Sequence, residues 1–174
     1  FEHHYRTRPP IPTFPDMRTL SLTLARMRWR KDGPQEMGDA IGSARAAYYR
    51  HVEGHAVGDC DEFAVLAADR MEDMRRHGCE AGLELREDEI GVLSVPWLDG
   101  WRAGGHNVCA FSYYDDERLE RRWAHVGNWF AGAPRWKFET LEAAVRDVLG
   151  PTRRGLCWSY ATAGLRRLRF GWRA

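Results

Sequence analysis

Hydrophobic positions recur along the chain with two different periods, and the change comes near Gly78. Ahead of that glycine the spacing is helical. Met17, Leu20, Leu24 and Met27 recur every three to four residues behind Asp16, whose short carboxylate suits an N-cap. The pattern predicts a helix ending before Lys31-Asp32-Gly33. Pro34 suits a first helical position, and Met37, Ile41, Ala44 and Tyr48 continue one apolar face towards Arg50. The clearest stripe is Phe63, Leu66, Ala67, Met71 and Met74, which predicts a helix from Asp59 to His77 stopped by a left-handed Gly78. Asp59 and Glu62 have the spacing of a capping box, so Cys60 takes the first helical position.

Beyond Gly78 the apolar runs are short and separated by charged or glycine-rich turns. Leu83 with Leu85, Ile90 to Val95, His106 to Tyr114 and Arg122 to Trp129 read as strands. Thr140 caps a helix carrying Leu141, Ala144, Val145 and Val148, stopped by Gly150-Pro151. Leu168, Phe170 and Trp172 alternate with Arg167, Arg169 and Arg173, the period of a half-buried strand. Residues 1–15 hold Pro9, Pro10, Pro12 and Pro15, which remove backbone donors and predict an extended arm over the domain rather than a core element. Helices first and antiparallel strands afterwards predict an α+β class, with one domain over 16–174.

Composition narrows the function classes. A length of 174 residues with 44% hydrophobic content can bury a conventional core. With 26 basic against 25 acidic residues, no overall field recruits nucleic acid or an anionic membrane. The apolar runs fall far short of the roughly 20 residues that span a bilayer. Cys60, Cys79, Cys109 and Cys157 lie far apart, with no CxxC pair, so reduced thiols and a cytoplasmic setting are the default, while export and association with a virus particle stay open.

The candidate chemistry begins at Cys60. Unpaired N–H groups and aligned peptide dipoles at a helix start favour a thiolate, whereas Asp59, Asp61 and Glu62 oppose it, so a histidine partner is required. His106, following Ala103-Gly104-Gly105 at a strand start, is the best placed of the seven histidines. If the strands around it form a hairpin, position 106 pairs near 130 and 108 near 128, which brings Asn128 within reach of the imidazole. Asp115, nine residues along the same strand, lies roughly 30 Å away. The carboxamide of Asn128 can accept the ring N–H and fix the tautomer.

Gly58-Asp59-Cys60-Asp61-Glu62-Phe63-Ala64 resembles the GDC-(D/E)-(D/E)-x-A signature that opens the nucleophile helix of bacterial transglutaminase-like cysteine peptidases. Gly105-His106-Asn107-Val108 is similar to their histidine strand, and Val126-Gly127-Asn128-Trp129 occupies the place of their third catalytic residue. Trp29-Arg30-Lys31-Asp32 is similar to a W-x-x-D stretch found ahead of that helix. The likeness spans Trp29 to Trp129. It implies a papain-like, transglutaminase-like fold and attack by Cys60 on a peptide or glutamine-type amide of a protein or peptide substrate. A thioester then passes to water, the favoured acceptor, or to an amine, with no cofactor. Two departures matter. The family's third residue is usually aspartate, and Asn128 gives a Cys-His-Asn set instead. The papain-type oxyanion glutamine is replaced at its spacing by Gly54, so the second donor falls to Trp29 or Gln35. Trp97, Trp101 and Trp129 are candidates to line a substrate cleft.

Three rival readings compete. His51, His55, Cys60, His77 and Cys79 match no closed structural-zinc spacing, so no metal is expected. The segment from Arg153 to Arg173 mixes arginine with Trp158, Tyr160, Phe170 and Trp172 in the manner of a single-strand nucleic-acid surface, but strand alternation explains it more simply, and nucleic acid is disfavoured as a partner. The third rival is a domain of this fold with idle chemistry, serving as an assembly or binding module, for example in a viral particle.

Overall fold

The computed structural model describes residue 5 and residues 7–30, 43–163 and 168–172. Asp16 starts α1 (Met17–Arg26) by accepting a hydrogen bond from Thr19 N at 2.6 Å, and Met17, Leu20 and Leu24 are the buried stripe. The helix stops short of the predicted end because Met27 is extended and the chain turns to pair elsewhere: Arg30 N donates to Gly58 O at 2.8 Å. α2 (Ala44–Val52) begins behind Ser43, whose hydroxyl accepts from Ala46 N at 3.2 Å. Pro34, Met37 and Ile41 lie outside the described residues, as does Gln35. α3 (Cys60–Arg76) has the predicted capping box and ends at Gly78, with φ +69°.

Among the described residues seven strands form one antiparallel sheet: β1 (Ile90–Asp99), β2 (Arg102–Asp115), β3 (Glu120–Val126), β4 (Arg135–Phe138), β5 (Arg154–Gly155), β6 (Cys157–Thr162) and β7 (Leu168–Trp172). Their order is β4-β3-β2-β1-β6-β7, with β5 paired to β1. The pleat divides the core in two. Cys109, Phe111 and Tyr113 face α1, α2 and α3, in a cluster with Leu20, Phe63, Leu66 and Met71. Val108, Ala110, Leu93 and Val95 face α4 (Leu141–Leu149), whose Leu141, Val145 and Val148 cover them. The class is α+β, with four helices among the described residues.

Several expectations are corrected. Ile11 and Phe14 of the proline-rich arm are buried in the larger cluster, and Arg70 fastens the arm by donating to Ile11 O at 3.3 Å and Pro12 O at 3.1 Å. Leu83 and Leu85 form no strand, because Glu80 and Glu84 at φ +50° and +45° bracket a short 3-10 turn, Ala81–Leu83. Pro96 to Asp99 and Gly104-Gly105 belong to a β1–β2 hairpin instead of a loop. β3 ends at Val126, since Asn128 is in the αR region and opens a 3-10 turn, Trp129–Gly132. β4, β5 and β6 were not anticipated. β7 is a strand, yet Leu168, Phe170 and Trp172 are 58%, 69% and 84% exposed, so its apolar side is not half-buried. Trp158 and Tyr160 are buried, which removes them from any stacking surface for nucleic acid. No helix among the described residues is long and apolar enough to cross a membrane.

Candidate active site

The head of α3 is fixed by Asp59, Asp61 and Glu62. Asp59 accepts from Asp61 N at 3.0 Å, and Glu62 reaches back to accept from Asp59 N at 3.1 Å. Gly58 sits at φ +148°, and a Cβ there would collide with the Glu62 carboxylate, so the close return of that side chain requires glycine. Cys60 is thereby held at the first helical position, half-buried, with its sulfur 3.5 Å from Asp61 Oδ1.

The sulfur meets the sheet at the histidine motif. The backbone amide of Asn107 faces Cys60 and favours its charged form, while the Asn107 side-chain amide donates to Asp61. Burial nevertheless dominates, and with the carboxylates of Asp59 and Asp61 it pushes the Cys60 thiol up to about 12. The resting sulfur is protonated.

His106 immediately precedes Asn107 in β2 and is only 4% exposed. Its ring stacks on the Trp129 indole, with centroids 3.7 Å apart and planes 12° from parallel. The Arg153 guanidinium lies 5.3 Å from the Trp129 centroid and 4.5 Å from that of Trp97, whose plane is tilted 47° from the Trp129 indole. Burial, then the charges of His125 and Arg153, bring the His106 imidazole down to about 4, so it too is neutral at rest. The thiol and the imidazole do not meet: Asn107 shares the face of Cys109 and Phe111, towards α3 and Cys60, whereas strand alternation turns the His106 ring to the opposite side of the sheet with Val108 and Ala110, onto Trp129.

Asn128 is adjacent to the stacking tryptophan. Among the described residues, Asn128 Oδ1 and His106 Nε2 are both buried with no hydrogen-bond partner. One is an acceptor; the other can be a donor. The anticipated bond between them is not formed, and the register explains the offset. The observed ladder pairs Cys109 with Val126, one step from the expected alignment, and stops there. Continued, it sets His106 opposite Trp129, which is the ring it stacks upon.

Cys60 and His106 line one cavity of about 620 Å³. Asn128 is not on its lining. Neither are Trp29, Trp97, Trp101 or Trp129, which corrects the expected cleft residues: the exposed aromatics on the lining are Phe170 and Trp172, while the Trp158 ring is buried in the cluster covered by α4. Trp29 bridges to Gly58 and is 53% exposed, while Trp101 is 86% exposed beside Arg102. Trp129 and Arg153 line a different cavity of about 660 Å³ at the end of α4.

All four cysteines are free thiols. The one group of close potential metal donors among the described residues is Asp59, Cys60 and Asp61, whose atoms lie within 4.8 Å of one another; His51, His55, His77 and Cys79 do not join it. Sequence reasoning also missed an acid–base pair between a buried histidine and a partly buried aspartate. His125 Nε2 and Asp147 Oδ2 are 2.8 Å apart, and Arg135 braces the same carboxylate at 3.0 Å. The residues come from β3 and α4, 22 positions apart, with no local motif to announce them. No protein-family model matches the chain, and neither a curated protein nor a solved structure matches it.

Proposed function

We propose that the chain is a cysteine-dependent acyl-transfer enzyme with a papain-like, transglutaminase-like arrangement, acting on a peptide or glutamine-type amide. The observation that carries this reading is the contact between the Cys60 sulfur and the amide of Asn107, one residue from His106, inside a shared cavity. On this reading the β2 segment must rearrange to turn the His106 ring to the Cys60 side of the sheet, where a ring nitrogen takes the thiol proton. The sulfur attacks the carbonyl carbon, a C–S bond forms, and the C–N bond breaks as His106 returns the proton to the departing amine. Water or an amine then attacks the thioester and the thiol is restored; water is favoured. The Cys60 backbone N–H at the helix head is the candidate for one oxyanion donor. Because both partners rest neutral, proton transfer belongs to the attack itself.

Treatment with p-nitrophenyl acetate tests the reading. Acylation should concentrate on Cys60, and His106→Ala should slow acylation and deacylation by at least about 100-fold, the usual contribution of a positioned acid–base group. Slow, equal acylation of Cys60, Cys79 and Cys157 would reject it. That result would favour the second reading, an idle domain serving as an assembly or binding module, which the raised thiol and its two carboxylate neighbours support.

A further inference from the structure

The cavity at Cys60 continues as a trough across the sheet. Registers place Asn107 beside Ser94, Ser94 beside Ser159, and Ser159 beside Phe170, a row crossing β2, β1, β6 and β7. The neighbouring row pairs Gly105 with Pro96 and Cys157 with Trp172. Small side chains floor the middle, Asp59, Cys60 and Asp61 stand at one end, and Phe170 with Trp172 stand at the other. Both aromatics are mostly exposed, so they offer apolar surface without any apolar cover among the described residues. The trough lining contains no arginine or lysine.

Three strand spacings separate β2 from β7, about 14 Å. An extended peptide covers that distance in about four residues. The geometry points to an extended peptide as the acyl donor, lying across the strands with an aromatic or large aliphatic side chain about four residues from the reacting carbonyl, seated on Phe170 and Trp172. The inference rests on the acyl-transfer reading and adds its substrate class. Carboxylate side chains near the reacting residue are disfavoured by Asp59 and Asp61.

Two series of alanine-serine peptides test it, one with an N-terminal chloroacetyl group and one with a C-terminal chloromethyl ketone, each carrying a single phenylalanine one to five residues from the electrophile. The rate of Cys60 modification, read by peptide mass and divided by the chloroacetamide rate of the same variant, is the observable. One series should peak at three to four residues, at least tenfold above the phenylalanine-free peptide, and the double substitution Phe170→Ala with Trp172→Ala should flatten the peak to within twofold. A flat profile, a peak next to the electrophile, or a peak that survives the double substitution overturns the trough. If chloroacetamide modifies Cys60 no faster than Cys79 and Cys157, and p-nitrophenyl acetate does not select it, the acyl-transfer reading fails. The position profile is a ratio within Cys60 and still decides whether the trough holds the peptide.

Discussion

The imidazole of His106 lies flat on the indole of Trp129, 3.7 Å between centroids. One residue of register separates this arrangement from the alignment expected of the hairpin, and the consequence is chemical: the indole excludes water from the ring, and burial is the leading cause of its fall to about 4. Trp129→Ala should therefore return the His106 value towards 6.5, whereas Trp129→Phe should leave it low. A proton NMR titration of the His106 ring reads both. A value still near 4 in Trp129→Ala would show that the stack does not dry the ring.

The same depression makes stability depend on pH. His106 titrates lower folded than unfolded, so its contribution is full above 6.5 and is lost as pH falls towards about 4. Over that window the loss approaches about 3 kcal/mol, from about 1.4 kcal/mol per unit. His125, also lowered by burial despite its bond to Asp147, adds in the same direction. Urea unfolding at pH 7.5 and pH 4.5 should differ by about 2 to 3 kcal/mol, and His106→Gln should shrink the difference. Equal midpoints in the native chain would refute the assignment.

Cys60 gives a kinetic counterpart. A thiol held at about 12 remains protonated through neutral pH, so iodoacetamide labelling of Cys60 should climb about tenfold per unit from pH 7 to 10. Asp61→Asn removes a like charge beside the sulfur and should speed labelling at pH 8 by roughly tenfold. A plateau already reached at pH 7 would mean that a preformed thiolate exists.

What the sequence disclosed was local. The α3 capping box, the Thr140 cap and the Gly78 stop each depend on residues within one turn, and all three are present. The trough was invisible because it depends on pairing at long range: Ser94 meets Ser159 only through the β1–β6 ladder. Phe170 and Trp172 had the correct period but no clue to their exposure, which follows from β7 lying at the edge of the sheet. The arm misled for a different reason. Its prolines exclude regular structure, as argued, but they do not prevent Ile11 and Phe14 from packing, since burial needs side-chain area and not a helix or strand.

Gly58 ties the fold to the chemistry and supports the last prediction. The residue at φ +148° lets Glu62 fold back on Asp59 N, and that bond holds the first turn from which Cys60 projects. An added methyl meets the Glu62 carboxylate, so Gly58→Ala must strain the backbone, displace Glu62, or both. Backbone strain costs about 1 to 3 kcal/mol and a lost cap about 1 kcal/mol. Removing the carboxylate first should relieve the collision: in the Glu62→Ala background, Gly58→Ala should cost less by about 1 kcal/mol, a coupling that a double-mutant cycle in urea measures directly. Gly58→Ala should also slow Cys60 acylation, because the helix head no longer presents the sulfur to Asn107. Additive stabilities across the cycle would mean that the backbone conformation of Gly58, and not its contact with Glu62, accounts for the glycine.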